Sequence, residues 1–208
     1  MSVAIEDPRL AIVVHADHVR VLVVGGGAVA GRRALGFAAR GAAVRVVAPR
    51  ASEAVRDAAA KGAIDLVLRS FRPDDIADAD LVVAATDDRA VNALVARTAR
   101  ESHRLCNVVD APDEGTFSAV AQRTAGALLV AVSANGVPAA AMRVLDTITE
   151  RFDARYGEAL EELRALRARL LAAGEADEWE RASAELLGGD FAARAESGAL
   201  AREARTWR

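Results

Sequence analysis

A single cysteine, Cys106, excludes an internal disulfide in this 208-residue chain and makes a reducing compartment its natural home. Aromatic residues are scarce at 4% although the hydrophobic fraction is 52%, so the core must be filled mainly by Ala, Val and Leu, which suit helices laid on a Val-rich sheet. Lys61 is the only lysine, and positive charge therefore sits on arginine, a side chain suited to bidentate carboxylate or phosphate binding. The plainer source of that excess is a GC-rich coding bias, which also inflates alanine. A formal charge of −3 gives no field that would gather nucleic acid or an anionic membrane surface. No apolar run approaches the roughly 20 residues of a membrane span, and Met1 to Asp7 lacks the basic start and apolar stretch of a signal peptide. These absences leave a cytoplasmic globular protein, long enough for one full domain and a smaller appendage.

What the chain does have is alternation. Arg20 to Val24 carries an apolar run bounded by glycines and predicts a strand buried on both faces. Ala28 to Arg40 is compatible with a helix, stopped by Gly41. Val44 to Ala48 predicts a second strand ended by Pro49, and Ser52 to Lys61 a helix with Ser52 as N-cap and Gly62 past its end. Further strands are expected at Ile64 to Leu68, Leu81 to Ala85 and Leu105 to Val109, with a helix at Arg89 to Glu101. Such spacing implies right-handed crossovers and a doubly wound parallel sheet, an α/β domain over residues 1–112.

After Pro112 the pattern changes. A polar loop, Asp113 to Thr116, leads to strand candidates at Phe117 to Ala121 and Leu128 to Val132, and the turn Ser133-Ala134-Asn135-Gly136 precedes Pro138, a good first residue for a long helix. Residues 113–150 form this middle segment and residues 151–208 a helical C-terminal domain. In that last part Tyr156, Leu160, Leu163 and Leu170 share one helical face, Gly174 breaks the run, and Trp179, Ala182 and Leu186 make a second stripe.

The chemistry is concentrated at strand ends. Gly25, Gly27 and Ala30 read G-x-G-x-x-A, with Gly26 between the first two, directly after the first strand and directly before a helix. The first glycine permits the tight turn, the second lets backbone approach a pyrophosphate, and the small third residue lets helix and strand pack closely. Free N–H groups at the helix start supply the anion site, so the expected ligand is a dinucleotide in a Rossmann-type domain. The acidic residue that usually holds the ribose 2′-hydroxyl at the second strand's end is replaced by Ala48-Pro49-Arg50, and an arginine there can favour a 2′-phosphate. NAD versus NADP is open on that ground.

Ala84 to Asp88 follows the fourth strand at the same ligand-binding edge, where Thr86 or Asp87 could line the crevice, cap the next helix, or do both. Asp110, in Cys106-Asn107-Val108-Val109-Asp110-Ala111-Pro112, lies just past the fifth strand beside the expected nicotinamide, where a carboxylate could take a proton as hydride leaves; a plain turn aspartate before proline is the alternative. Cys106 reads as a small buried hydrophobe, since no histidine is placed to activate it, and His15, His18 and His103 show no metal-ligand spacing.

These stretches together resemble the precorrin-2 dehydrogenases of siroheme biosynthesis, including the amino-terminal half of siroheme synthases. The resemblance is carried by Val21 to Ala30 with Arg32-Arg33, Ala84 to Asp88 with Val91-Asn92, Cys106 to Pro112 with Phe117, and Val130 to Ser133 with Gly136, Pro138 and Arg143. It covers roughly residues 10 to 145, and the helical tail is similar less distinctively. The resemblance implies an NAD-dependent oxidation of precorrin-2 to sirohydrochlorin, with Asp110 as the catalytic proton acceptor. It implies cofactor contacts at Gly25, Gly26, Gly27, Ala28, Val29, Pro49, Arg50, Thr86 and Asp87, and a tetrapyrrole cleft at Ser133, Asn135 and Arg143.

Family members are homodimers joined through the segment after the sheet, and some also insert ferrous iron. Two departures stand out: the family's Ser-Gly-Gly-x-Ser-Pro turn is here Ser133 to Pro138 with Ala134-Asn135, and a Pro-Ala pair is Val120-Ala121. A substrate with eight carboxylates calls for positive groups, for which Arg123 and Arg143 are candidates. An NAD(H)-sensing binding module and a chelatase without dehydrogenase activity are the competing readings.

Overall fold

The computed structural model describes residues 9–208, so the leading segment read above against a secretion signal lies outside the described residues. The chain separates into two compact units, one ending at Ala119 and the other beginning at Val120.

The first unit is built on five parallel strands: β1 (Arg20–Val24), β2 (Ala43–Val47), β3 (Asp65–Val67), β4 (Leu81–Ala84) and β5 (Leu105–Val108). Their order in the sheet is β3-β2-β1-β4-β5, with the chain order reversing direction between β1 and β4, the switch point where doubly wound folds take ligands. Helices α1 (Ala28–Ala38), α2 (Glu53–Ala60) and α3 (Arg89–Glu101) cover the two faces. The apolar run of β1 is divided by strand alternation: Val21 and Val23 join one core with Val44, Val46 and Val55, and Leu22 and Val24 the other with Val82, Val95 and Val108. Each such fully buried side chain contributes about 1.5–3 kcal/mol of transfer free energy. Alanine carries the helix side of these contacts, with Ala30, Ala34 and Ala99 at 0% exposure, so the helices lie close on the strands without aromatic filler.

One expectation holds in position only, and another needs correction. Ser52 occupies the N-cap of α2 with extended backbone, but its side chain accepts no cap bond and its Oγ is buried without a hydrogen-bond partner. Its main-chain N–H donates instead to Gly26 O at 2.8 Å, which ties the start of α2 to the glycine loop. The strand expected over Phe117 to Ala121 does not form there. Thr116 and Phe117 both donate their N–H groups to Cys106 O, at 2.7 and 3.3 Å, and Asn107 Nδ2 donates to Phe117 O at 3.1 Å. These bonds hold the segment along the open edge of β5 and cover it, and the next strand starts only at Ala121.

The second unit begins with an antiparallel hairpin, β6 (Ala121–Ala125) and β7 (Leu128–Val132), followed by helices α4 (Pro138–Arg151), α5 (Ala154–Ala172), α6 (Ala176–Leu186), α7 (Phe191–Glu196) and α8 (Ala199–Thr206). Pro138 is the first helical residue of α4, as expected, and Asp153 caps α5 by accepting from Arg155 N–H at 2.9 Å. The α5 stripe, Tyr156, Leu163, Leu166 and Leu170, forms a core with Ala182, Leu186, Leu200 and Ala204. A Cβ at Gly157 would lie 2.0 Å from Ala125 O, so only glycine lets α5 rest on the hairpin. Among the described residues no helix is long and apolar enough to cross a membrane.

Candidate active site

The three glycines after β1 do three different things. Gly25 has φ +125°, donates its N–H to Val47 O at 3.0 Å, and would place a Cβ 2.4 Å from Ala85 O. It makes the turn and lets the loops after β1 and β4 touch. Gly26 would place a Cβ 2.1 Å from Arg50 O; it is the packing glycine, pressed against the loop after β2. Gly27 would meet nothing within 4 Å. It is the exposed N-cap of α1, without any side-chain cap.

The first turn of α1 closes with Gly31 N–H to Gly27 O at 2.9 Å, so the N–H groups that precede it are left for solvent or an anion. Ala28 and Val29 are exposed beside them, while Ala30 is fully buried against the sheet. Open space at Gly27, an uncapped positive helix end and small flanking side chains fit the diphosphate of a dinucleotide. Pro49 and Arg50 are exposed just after the end of β2, and Arg50 makes no ion pair among the described residues. No carboxylate stands in the Ala48-Pro49-Arg50 segment, so nothing there repels a 2′-phosphate.

On the other side of β1 a partly buried network joins two strand ends. Thr86 follows β4, and its N–H donates to Asn92 Oδ1 at 3.0 Å, while Asn92 Nδ2 donates back to Thr86 O at 3.1 Å. The same Nδ2 donates to Asp110 Oδ1 at 2.9 Å. The other oxygen, Oδ2, lies 3.8 Å from Arg89 Nε, and Arg89 is in turn paired with Glu114. Asp110 is thus fixed on one oxygen and open on the other, with its side chain about a third exposed.

The helix cap expected from Thr86 or Asp87 comes from Asp88, whose Oδ1 accepts from Ala90 and Val91 N–H at 2.8 and 3.2 Å. Thr86 Oγ1 accepts from Asp88 N–H at 3.2 Å, and Asp87 is exposed with no hydrogen bond among the described residues. Cys106 is 1% exposed, and burial pushes its thiol up to about 11. A neutral thiol in that setting is a packing residue and not a nucleophile.

Gly25 to Gly27, Pro49, Arg50, Thr86, Asp87 and Asp110 therefore lie in the loops following β1, β2, β4 and β5, with Ala28 and Val29 opening α1, at the carboxyl edge of one sheet. Ser133, Asn135 and Arg143 lie in the second unit. Ser133 follows β7, and Asn135 takes φ +41° and Gly136 φ +86° in the turn before α4. Asparagine is the side chain that best tolerates that left-handed conformation, so Asn135 keeps the turn that a glycine would make. Arg143 is exposed on α4 without an ion pair among the described residues. Arg123, the other candidate for substrate carboxylates, is paired with Asp146.

Two contributors carried no role in the sequence reading. Arg89 gives no signal, since it looks like any first-turn helix residue. Asn92 does give one: it is a polar residue on the otherwise apolar inner face of α3, four positions after the capping Asp88.

Comparison with known proteins agrees with this geometry. Residues 12–121, just over half of the chain, match the family model described as "Putative NAD(P)-binding". The chain is 34% identical over 137 residues to a precorrin-2 dehydrogenase of Priestia megaterium, covering 65% of this chain and 67% of that one. It is 36% identical over 183 residues to siroheme synthase 3 of Aeromonas hydrophila subsp. hydrophila, covering 84% of this chain but only 38% of that protein's length. A solved structure named "SirC, precorrin-2 dehydrogenase" superposes with a TM-score of 0.71 at 23% identity, covering 96% of this chain and 100% of that one, a likeness of fold. With its glycine loop, its strand-end carboxylate and these relatives, the chain belongs to the precorrin-2 dehydrogenase and siroheme synthase family of NAD(P)-binding proteins.

Proposed function

We propose that this chain oxidises precorrin-2 to sirohydrochlorin with NAD as the hydride acceptor. The observation that carries the reading is the placement of Asp110: a tethered, half-open carboxylate at the same sheet edge as the uncapped glycine loop. Dehydrogenation removes one hydride from a saturated carbon and one proton from a group conjugated with it, and the ring system gains one double bond. NAD, when bound, supplies the hydride acceptor. Asp110 Oδ2 takes the proton, with Arg89 nearby to offset its charge beforehand. The N–H groups at the start of α1 hold the diphosphate, and the loop after β2 takes the adenosine ribose.

The tetrapyrrole carboxylates fall to groups of the second unit, foremost Arg143, with Ser133 and Asn135 supplying neutral hydrogen bonds. The middle segment also supports a homodimer, because Val120, Leu129, Met142 and Val144 are exposed apolar side chains on or beside β6, β7 and α4. The experiment is turnover: purified protein with precorrin-2 and NAD is expected to yield NADH and the sirohydrochlorin spectrum in equal amounts. No turnover with NAD or NADP refutes the reading. Ferrous iron added to sirohydrochlorin without NAD reads metal insertion separately.

A further inference from the structure

Asn92 is 0% exposed on the face of α3 that packs against the sheet, among Val95, Ala96 and Ala99. An amide buried there is costly unless its hydrogen-bonding capacity is filled. It is filled completely. Oδ1 faces Thr86 N at 3.0 Å and Thr86 Oγ1 at 2.7 Å, and Nδ2 faces Thr86 O at 3.1 Å and Asp110 Oδ1 at 2.9 Å. The orientation of the amide follows from chemistry. Thr86 N–H can only donate, so it requires Oδ1, and the remaining Nδ2–H is then aimed at Asp110.

The Thr86 bonds alone would satisfy a structural plug. The fourth bond is additional, and it reaches the strand-end carboxylate, whose other oxygen has only the Arg89 contact at 3.8 Å.

We propose that Asn92 is a positioning residue: it clamps the loop after β4 to the loop after β5 and holds Asp110 in its proton-accepting orientation. A fixed N–H on Oδ1 stops the side chain from rotating, which leaves Oδ2 turned to receive a proton. The charged groups facing Asp110 are Arg89 on α3 and, beyond it, Glu114 from the short turn after β5. Asn92 thus sets the direction of the base. This rests on the reading of Asp110 as the proton acceptor, and the tests are chosen to separate the two.

In turnover, Asn92→Asp keeps the shape and the acceptor for Thr86 but removes the donor and places like charge beside Asp110. The expected result is a kcat lower by about 10- to 100-fold with NAD affinity within about threefold of wild type. Asn92→Ala, which removes the donor without adding charge, is expected to lower kcat in the same way by less. A folded variant with wild-type kcat, or one whose NAD affinity falls in step with kcat, overturns the proposal. A second measurement needs neither turnover nor a variant at Asn92. The side-chain amide protons of Asn92 in the intact wild-type protein are expected to be protected from solvent exchange, and to lose at least tenfold of that protection in Asp110→Ala. Unprotected amide protons in wild type, or equal protection in Asp110→Ala, overturn it.

Discussion

Adding one methyl group at Gly26 or at Gly27 separates packing from ligand binding. At Gly26 the new Cβ would sit 2.1 Å from Arg50 O, 2.9 Å from Ala51 Cα and 3.0 Å from Ala48 Cβ. Two of these neighbours are backbone and cannot turn aside, so the loop after β1 must lift off the loop after β2. Overpacking of this kind costs about 1–3 kcal/mol, and a backbone clash belongs at the upper end. For a chain of this size that lowers the melting temperature by about 6–12 °C.

At Gly27 the same methyl meets nothing, and the backbone, φ −77° and ψ −175°, suits alanine. The only structural cost is the poorer N-cap, about 1 kcal/mol or less. The methyl does occupy the approach to the helix N-terminus, so NAD affinity is expected to fall at least tenfold, about 1.4 kcal/mol. Thermal unfolding by circular dichroism and NAD titration by calorimetry, run on both variants, read the two effects. A Gly27→Ala protein that binds NAD with wild-type affinity, or a Gly26→Ala protein as stable as wild type, would refute the assignment of roles within the loop.

Arg50→Asp restores an acid near the adenosine ribose and is expected to weaken NADP binding at least tenfold while leaving NAD within threefold; equal changes for both would remove Arg50 from the ribose site. Arg143→Ala is expected to raise KM for the tetrapyrrole several-fold with NAD affinity unchanged, whereas Arg123→Ala, whose partner Asp146 already engages it, has a smaller effect. The Cys106 thiol, near 9 when unfolded and about 11 when folded, favours the native state fully below pH ~9. That contribution, on the order of 2–3 kcal/mol, is lost as pH rises towards 11. Denaturant unfolding at pH 8 and pH 10.5 is expected to show a loss in wild type that Cys106→Ala does not share.

The parallel sheet was legible because β1 and β4 are buried on both faces, which writes them as unbroken apolar runs. The glycine loop was legible because its spacing serves a turn and a helix start at once. Less visible were contacts that depend on which backbone lies alongside. Nothing local distinguishes Gly26 from Gly27, yet one faces Arg50 O and the other open space. The segment at Thr116 and Phe117 has strand-like residues, but its N–H groups are claimed by Cys106 O across a ten-residue loop. Asp88 and not Thr86 caps α3 because Thr86 is already engaged by Asn92. The carboxylate at Asp110 was found from its position after a strand, while its tether needed the fold, since Asn92 is 18 residues away in sequence.

The claim at the centre of this account is that Asp110 moves a proton at a site where the glycine loop holds the cofactor. Single-turnover oxidation of precorrin-2 by Asp110→Asn, with NAD affinity measured on the same preparation, tests it directly. The expected result is a rate at least 100-fold below wild type with NAD affinity within threefold. A rate close to wild type, or a loss of NAD binding equal to the loss of rate, would contradict it.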